Sequence, residues 1–149
     1  IKTVLAIWHS SNKGKTETLR EFANLLILEY PEFSSIFPIP TVIPIKKDFR
    51  LVVKINDKII GIESQGDPNT NLKEKLIELV DTFNCDIILC SSRTRGDTII
   101  AVDNLFETKN FQTIWTSTYQ IDNTANHNLV NKLKAKHLLN LLQSLSLIW

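Results

Sequence analysis

Apolar and polar positions along the chain follow two rhythms, and each change of rhythm marks an element. Ile1 to Trp8 is apolar except at Lys2 and Thr3 and rich in β-branched residues, the pattern of a strand covered on both faces, so it belongs near the centre of a sheet. Leu19, Phe22, Ala23, Leu26 and Tyr30 then recur at three- and four-residue steps and predict a helix that Pro31 ends. Residues 31–47 hold four of the five prolines; each removes a backbone donor and fixes φ, so this stretch reads as an extended, irregular connection. Phe49, Leu51, Val53 and Ile55 alternate with Arg50, Lys54 and Asn56, the two-residue period of a strand with one wet face. Asn56-Asp57-Lys58 supplies turn residues before KIIGIES, which predicts a β-hairpin.

Residues 63–71, ESQGDPNTN, form a loop by composition, and Asn71 with Glu74 resembles a capping box. Leu72, Leu76, Leu79, Val80 and Phe83 give the following helix its apolar face, and Asn84-Cys85-Asp86 ends it before the strand DIILC. The loop SSRTRGDT, a helix from about Asp97 to Glu107, the strand FQTIWTS and a long terminal helix starting near Asn126 or Asn128 complete the chain. Strands alternating with helices after the hairpin imply an α/β fold. The expected sheet is five-stranded and mostly parallel, with one antiparallel edge strand from the hairpin and helices on both faces in three layers. Its 149 residues fit a single domain, 1–149. Ligands of such sheets bind beyond the carboxyl ends of the parallel strands, so the loops near 9–16, 63–69, 91–97 and 116–122 should share one rim.

Charge narrows the partners. Seventeen basic and sixteen acidic side chains nearly cancel, so no global field draws in nucleic acid or an anionic membrane surface. No apolar run approaches the roughly twenty residues of a membrane-spanning helix, and the opening stretch is too short and weakly charged for a secretory signal, so a cytoplasmic protein is expected. Cys85 and Cys90 lie five positions apart, and strand alternation turns residues of opposite parity to opposite faces, so buried reduced thiols rather than a disulfide are expected. His9, His127 and His137 have no metal-ligand spacing relative to them.

The chemistry concentrates in HSSNKGKT. Its residues His9, Ser10, Ser11, Asn12, Lys13, Gly14, Lys15 and Thr16 match the pattern G-x-x-x-x-G-K-[ST] at seven of eight positions, with Glu17 next in the chain. In that pattern successive backbone N–H groups wrap an anion, the helix N-terminus adds its dipole, the lysine reaches the outer phosphates and the hydroxyl binds Mg²⁺. The three residues Gly-Lys-Thr alone are a weak signal, but here they fall at the predicted strand-to-helix junction. His9 replaces the first glycine, which eases a tight turn, while the residues of closest approach, Gly14, Lys15 and Thr16, are kept.

On these residues the first thirty positions resemble the P-loop NTPase superfamily. The resemblance implies a Mg²⁺-dependent, nucleoside triphosphate-binding protein, and an acidic residue after a neighbouring strand to hold the metal's hydration shell. After the hairpin comes Glu63-Ser64-Gln65-Gly66, an E-x-x-G version of the D-x-x-G loop of Ras-like members, with Asp67 just beyond. Thr16 and Glu63, with Asp67 as the alternative acid, are thus the expected metal residues, and Gln65 the candidate for positioning a water. The N/T-K-x-D motif that reads guanine is absent, so ATP or an unspecified nucleoside triphosphate is favoured over GTP, with Tyr119 a candidate for stacking on a base.

Arg93 and Arg95, two apart beside a helix N-terminus, offer guanidinium forks for a γ-phosphate. Lys134, Lys136 and His137 read as a solvated face. The apolar tail LLQSLSLIW either completes the core or contributes to self-association into a homo-oligomer. Two functions follow from the resemblance: a small kinase or NTPase with Lys15, Arg93, Arg95 and Gln65 as catalytic residues, or a nucleotide-dependent switch read by a small-molecule or protein partner.

Overall fold

The computed structural model describes residues 1–10 and 12–149. It is an α/β fold with a mixed six-stranded sheet: β1 (Thr3–Trp8), α1 (Lys15–Glu29), β2 (Ser34–Phe37), β3 (Arg50–Ile55), β4 (Lys58–Glu63), α2 (Leu72–Asp81), β5 (Ile87–Ser92), α3 (Asp97–Lys109), β6 (Gln112–Thr116) and α4 (His127–Ser144). The strand order is β2-β3-β4-β5-β1-β6. β1 pairs in parallel with both β5 and β6, so its side chains meet protein on both faces and its apolar run is the consequence.

Alternation along the strands sorts the core into two layers. Leu5 and Ile7 of β1, with Ile60 and Ile62 of β4, face Leu19, Phe22 and Leu26 of α1 and Leu138 and Leu142 of α4. Val4 and Ala6, with Ile88 and Cys90 of β5, face Leu76 and Leu79 of α2 and Val102 and Leu105 of α3. Each fully buried leucine, isoleucine or phenylalanine contributes about 1.5–3 kcal/mol from area removed from water. Leu147 and Ile148 join the first layer, so the apolar tail completes the core there.

Four expectations are corrected. The sheet has six strands, because Ser34–Phe37, inside the proline-rich segment, pairs antiparallel with β3 through Ser34↔Lys54, Ser35↔Val53 and Phe37↔Val52. These four residues contain no proline and sit at the sheet edge, where flanking prolines remove no ladder bond. The antiparallel strand β3 is therefore not at the edge; it lies between β2 and β4. Asn71 does not cap α2 with its side chain: its backbone is left-handed (φ 60°, ψ 42°), whereas a capping side chain reaches the second or third amide from extended backbone. Cys85 and Cys90 are free and buried, but both lie in the α2/α3 layer, since Cys85 precedes β5 and strand parity does not govern it. Burial pushes both thiols up to about 12.

No helix among the described residues is long and apolar enough to cross a membrane. The parallel strands β4, β5 and β1 all end at one rim, and the loops that follow them meet there.

Candidate functional site

Among the described residues of the turn from β1 into α1, Asn12 (φ 57°) and Gly14 (φ 80°) are left-handed. Gly14 opens α1, its carbonyl accepting from Thr18 N at 2.9 Å. A Cβ on Gly14 would lie 2.8 Å from Asn131 Oδ1 of α4 and would displace that side chain, while the φ of 80° is what favours glycine. His9 is not in the left-handed region, which is why a histidine can stand where the pattern has glycine. Its amide donates to Ser92 O at 3.1 Å, and its Nδ1 accepts from Ser10 N at 2.8 Å. Ser11 lies outside the described residues.

Lys15 folds back across this turn. Its Nζ donates to His9 O at 2.8 Å and to Ser92 O at 2.9 Å, tying the ends of β1 and β5 together. The residue is 7% exposed. Burial brings its pKa from the ordinary 10.5 down to about 8; the Arg93 guanidinium pushes the same way and the Asp67 carboxylate opposes it. Among the described residues the ammonium is held by two carbonyls and contacts no carboxylate, which leaves it capacity for an anion.

In front of Lys15 opens a pocket of about 320 Å³, lined on one side by residues 12–17 and on the other by Lys46, Asp48, Ser64, Gly66, Asp67 and Ser91. Thr16 Oγ1 and Ser64 Oγ both donate to Asp48 Oδ1 at 3.0 Å, while Ser64 Oγ accepts from Phe49 N at 2.7 Å. Asp67 reaches Arg93 Nε at 3.1 Å. Gly66 packs so closely on β5 that a Cβ would lie 1.9 Å from Ser91 O. Lys13, Lys15 and Lys46 supply positive charge, Glu17, Asp48 and Asp67 negative charge, and the first amides of α1 add donors.

The expected acid takes a different place. Ile60 and Ile62 face the α1/α4 layer, so by strand alternation Glu63 points to the opposite side, beneath α2. There it is 4% exposed and accepts from Arg50 Nε at 2.9 Å, while Arg50 also pairs with Glu78 and donates to Lys75 O. Burial raises the Glu63 pKa, with Arg50 opposing. Gln65 is likewise turned aside, its Oε1 held by Lys75 Nζ. Neither residue lines the pocket, and Arg95 is exposed and does not line it either. Among the expected residues the pocket thus gathers Asn12, Lys13, Gly14, Lys15, Thr16, Glu17 and Asp67, with Arg93 reaching it through Asp67.

Sequence reading missed Lys46, Asp48, Ser64 and Ser91. The available signal for Asp48 was a charged Lys-Lys-Asp triplet between a proline-rich stretch and an apolar strand, which reads only as the strand's start.

A smaller cleft of about 60 Å³ adjoins Gly14 on the α4 side, lined by Asn12, Lys13, Tyr119, Gln120, Ile121, His127, Val130 and Asn131. Gln120 Nε2 donates to Lys13 O at 2.8 Å and so ties this cleft to the turn. The Tyr119 ring is already engaged: Lys134 Nζ lies 4.8 Å from its centroid and its hydroxyl 2.6 Å from His137 Nδ1.

Among the described residues no cluster of three or more His, Cys, Asp or Glu side chains forms a metal site. Comparison of the chain with protein-family models, curated protein sequences and solved structures finds no match.

Proposed function

We propose that this chain binds a nucleoside triphosphate as its magnesium complex and acts on the terminal phosphoryl group, through a phosphate loop of the P-loop NTPase kind. The observation that carries the reading is the turn at Gly14: left-handed glycine opens α1 while the ammonium of Lys15 is drawn across the mouth of a polar pocket at the carboxyl ends of β1 and β5. Backbone amides of residues 13–16 take the phosphate oxygens, and Lys15 neutralises the outer charge.

The pocket's donor set fits magnesium arriving with the nucleotide. Thr16 supplies a hydroxyl, and Asp48 and Asp67 supply carboxylates, hard oxygen donors that complete a coordination shell together with phosphate and water. Bound there, the metal would draw charge from the phosphate oxygens as the terminal P–O bond breaks and an acceptor oxygen takes the phosphoryl group. Asp48 replaces Glu63 in this assignment because Glu63 faces Arg50 on the other side of the sheet. Arg93 is the nearer of the two arginines for the developing charge. The missing guanine motif favours ATP.

Addition of Mg·ATP at about a hundred times its Kd is expected to raise the unfolding temperature by on the order of 5–10 °C. Asp48→Asn should weaken Mg·ATP binding about tenfold while leaving metal-free ATP binding within about twofold, and Glu63→Gln should leave both affinities near wild type. No thermal shift with any magnesium nucleotide would end the nucleotide reading. The reverse ranking of the two acids would return the metal role to Glu63.

The lysine gives a pH signature. Below pH 8 Lys15 is charged in the free protein, and above it the charge is lost. A polyphosphate favours the charged form, so binding at pH 8 should take up about half a proton, and affinity should fall as pH rises through that value, by up to about tenfold per unit. Calorimetry in two buffers of different ionisation heat reads the uptake directly; binding without it places the ligand away from Lys15.

One observation favours a second reading, a nucleotide-dependent switch with slow or no hydrolysis: Gln65, the expected water-positioning side chain, is held by Lys75 rather than by the pocket. Release of ADP by the full chain with Mg·ATP decides between the two.

A further inference from the structure

Resting on the nucleotide reading above, we infer that Arg20 is a positioning residue for the metal side of the pocket, holding Asp48 and Lys46 against α1. Arg20 is 5% exposed, in the second turn of α1. Its Nε donates to Pro44 O and its Nη2 to Lys47 O, each at 2.6 Å, while its Nη1 pairs with Glu17. The guanidinium lies 5.8 Å from the centroid of the Phe49 ring.

The segment it grips has no regular structure between β2 and β3, and Pro38, Pro40 and Pro44 contribute no donors to it. Its carbonyls must find partners elsewhere, and a planar fork of fixed geometry satisfies two of them three residues apart. That fixes the backbone on both sides of Lys46 and one residue before Asp48. Both side chains then line the pocket, and Asp48 meets Thr16 four residues ahead of Arg20 on the same helix. The helix that cradles phosphate therefore also sets the distance between the loop and the acid opposite it. Glu17, whose carboxylate steadies the fork, lines the same pocket.

Loss of this clamp should leave the Gly14 and Lys15 contacts intact and remove the contribution of Asp48. The full chain, Arg20→Gln and Arg20→Lys are titrated with ATP in excess magnesium and with ATP in chelator, and amide hydrogen exchange is read at residues 45–49. The clamp predicts that both variants bind Mg·ATP about tenfold more weakly, that metal-free affinity stays within about twofold, and that residues 45–49 exchange at least about tenfold faster while β1 and β5 stay protected. Lysine keeps the charge but cannot span both carbonyls, so it does not rescue. A parallel loss of both affinities, a wild-type magnesium effect, or unchanged exchange at residues 45–49 overturns the inference. Should Arg20→Gln fail to fold, Arg20→Lys carries the same comparison. If the wild-type chain binds no nucleotide at all, the functional reading fails, and the exchange rates alone support or overturn the clamp.

Discussion

Lys15→Met is expected to weaken Mg·ATP binding by about 100-fold or more while leaving the unfolding temperature within a few degrees of wild type. The two halves of this result have separate causes. For binding, the ammonium is the one buried cation among the described residues that line the pocket, and in the proposed binding mode the polyphosphate would place its charge against it. For stability, two terms oppose each other. Removing the donor leaves His9 O and Ser92 O without this partner, at a cost of about 1 kcal/mol each. Against that, a pKa lowered to about 8 from 10.5 means that the charged form is disfavoured by the fold by roughly 3 kcal/mol, a penalty that methionine, of similar length, does not carry. The net change is small.

The sign of the pH dependence is fixed by the same numbers. Below pH 8 folded and unfolded chains both hold the proton, so the burial penalty is fully present. Between pH 8 and 10.5 the unfolded chain holds more proton than the folded one, and stability rises with pH. Wild type should therefore gain on Lys15→Met across that window, measured as the difference between their urea midpoints. Nucleotide affinity unchanged in Lys15→Met would remove the central element of the proposed site.

Gly66→Ala is expected to destabilise the fold by about 3–5 kcal/mol, enough to remove a large part of the usual margin of stability. The added Cβ would sit 1.9 Å from Ser91 O and 2.3 Å from Ser91 C. Those atoms belong to the backbone of β5, where Ser91 is paired with Ile7 of β1 and the preceding Cys90 with both Ala6 of β1 and Glu63 of β4, so they have little room to retreat. The loop must move instead, breaking the bond in which Ser91 Oγ donates to Ser64 O at 2.6 Å and carrying Asp67 away from the pocket. A lower urea midpoint at unchanged slope is the measurement; a wild-type midpoint would show that the loop does not press on β5.

Much of this arrangement is legible in the chain because it depends on local rules. The apolar run at residues 3–8 announces a strand covered on both faces, and the three- and four-residue spacing of Leu19, Phe22, Ala23 and Leu26 announces the helix packed on it. Between them Gly14-Lys15-Thr16 announces the turn, since glycine adopts a φ of 80° at no steric cost. Ser34–Phe37 was not legible: a four-residue edge strand among prolines has too short a period to register, and its pairing with β3 spans a connection of twelve residues.

Glu63 and Asp48 divide the two sources of information most clearly. Spacing along the chain located an acid after the hairpin, but which face of the sheet it meets depends on strand parity relative to a core built from distant helices, and that parity gives Glu63 to Arg50. Asp48 meets Thr16 where the proline-rich segment, bonded to Arg20 through Pro44 O and Lys47 O, lies against α1, across a separation of 32 positions that no motif encodes. The sequence by itself determined every strand and helix but β2, and the place of the glycine turn and its lysine, because these follow from backbone sterics and the period of apolar side chains. The tertiary structure alone decided which carboxylates face that lysine, because a carboxylate's surroundings are set by packing between segments far apart in the chain.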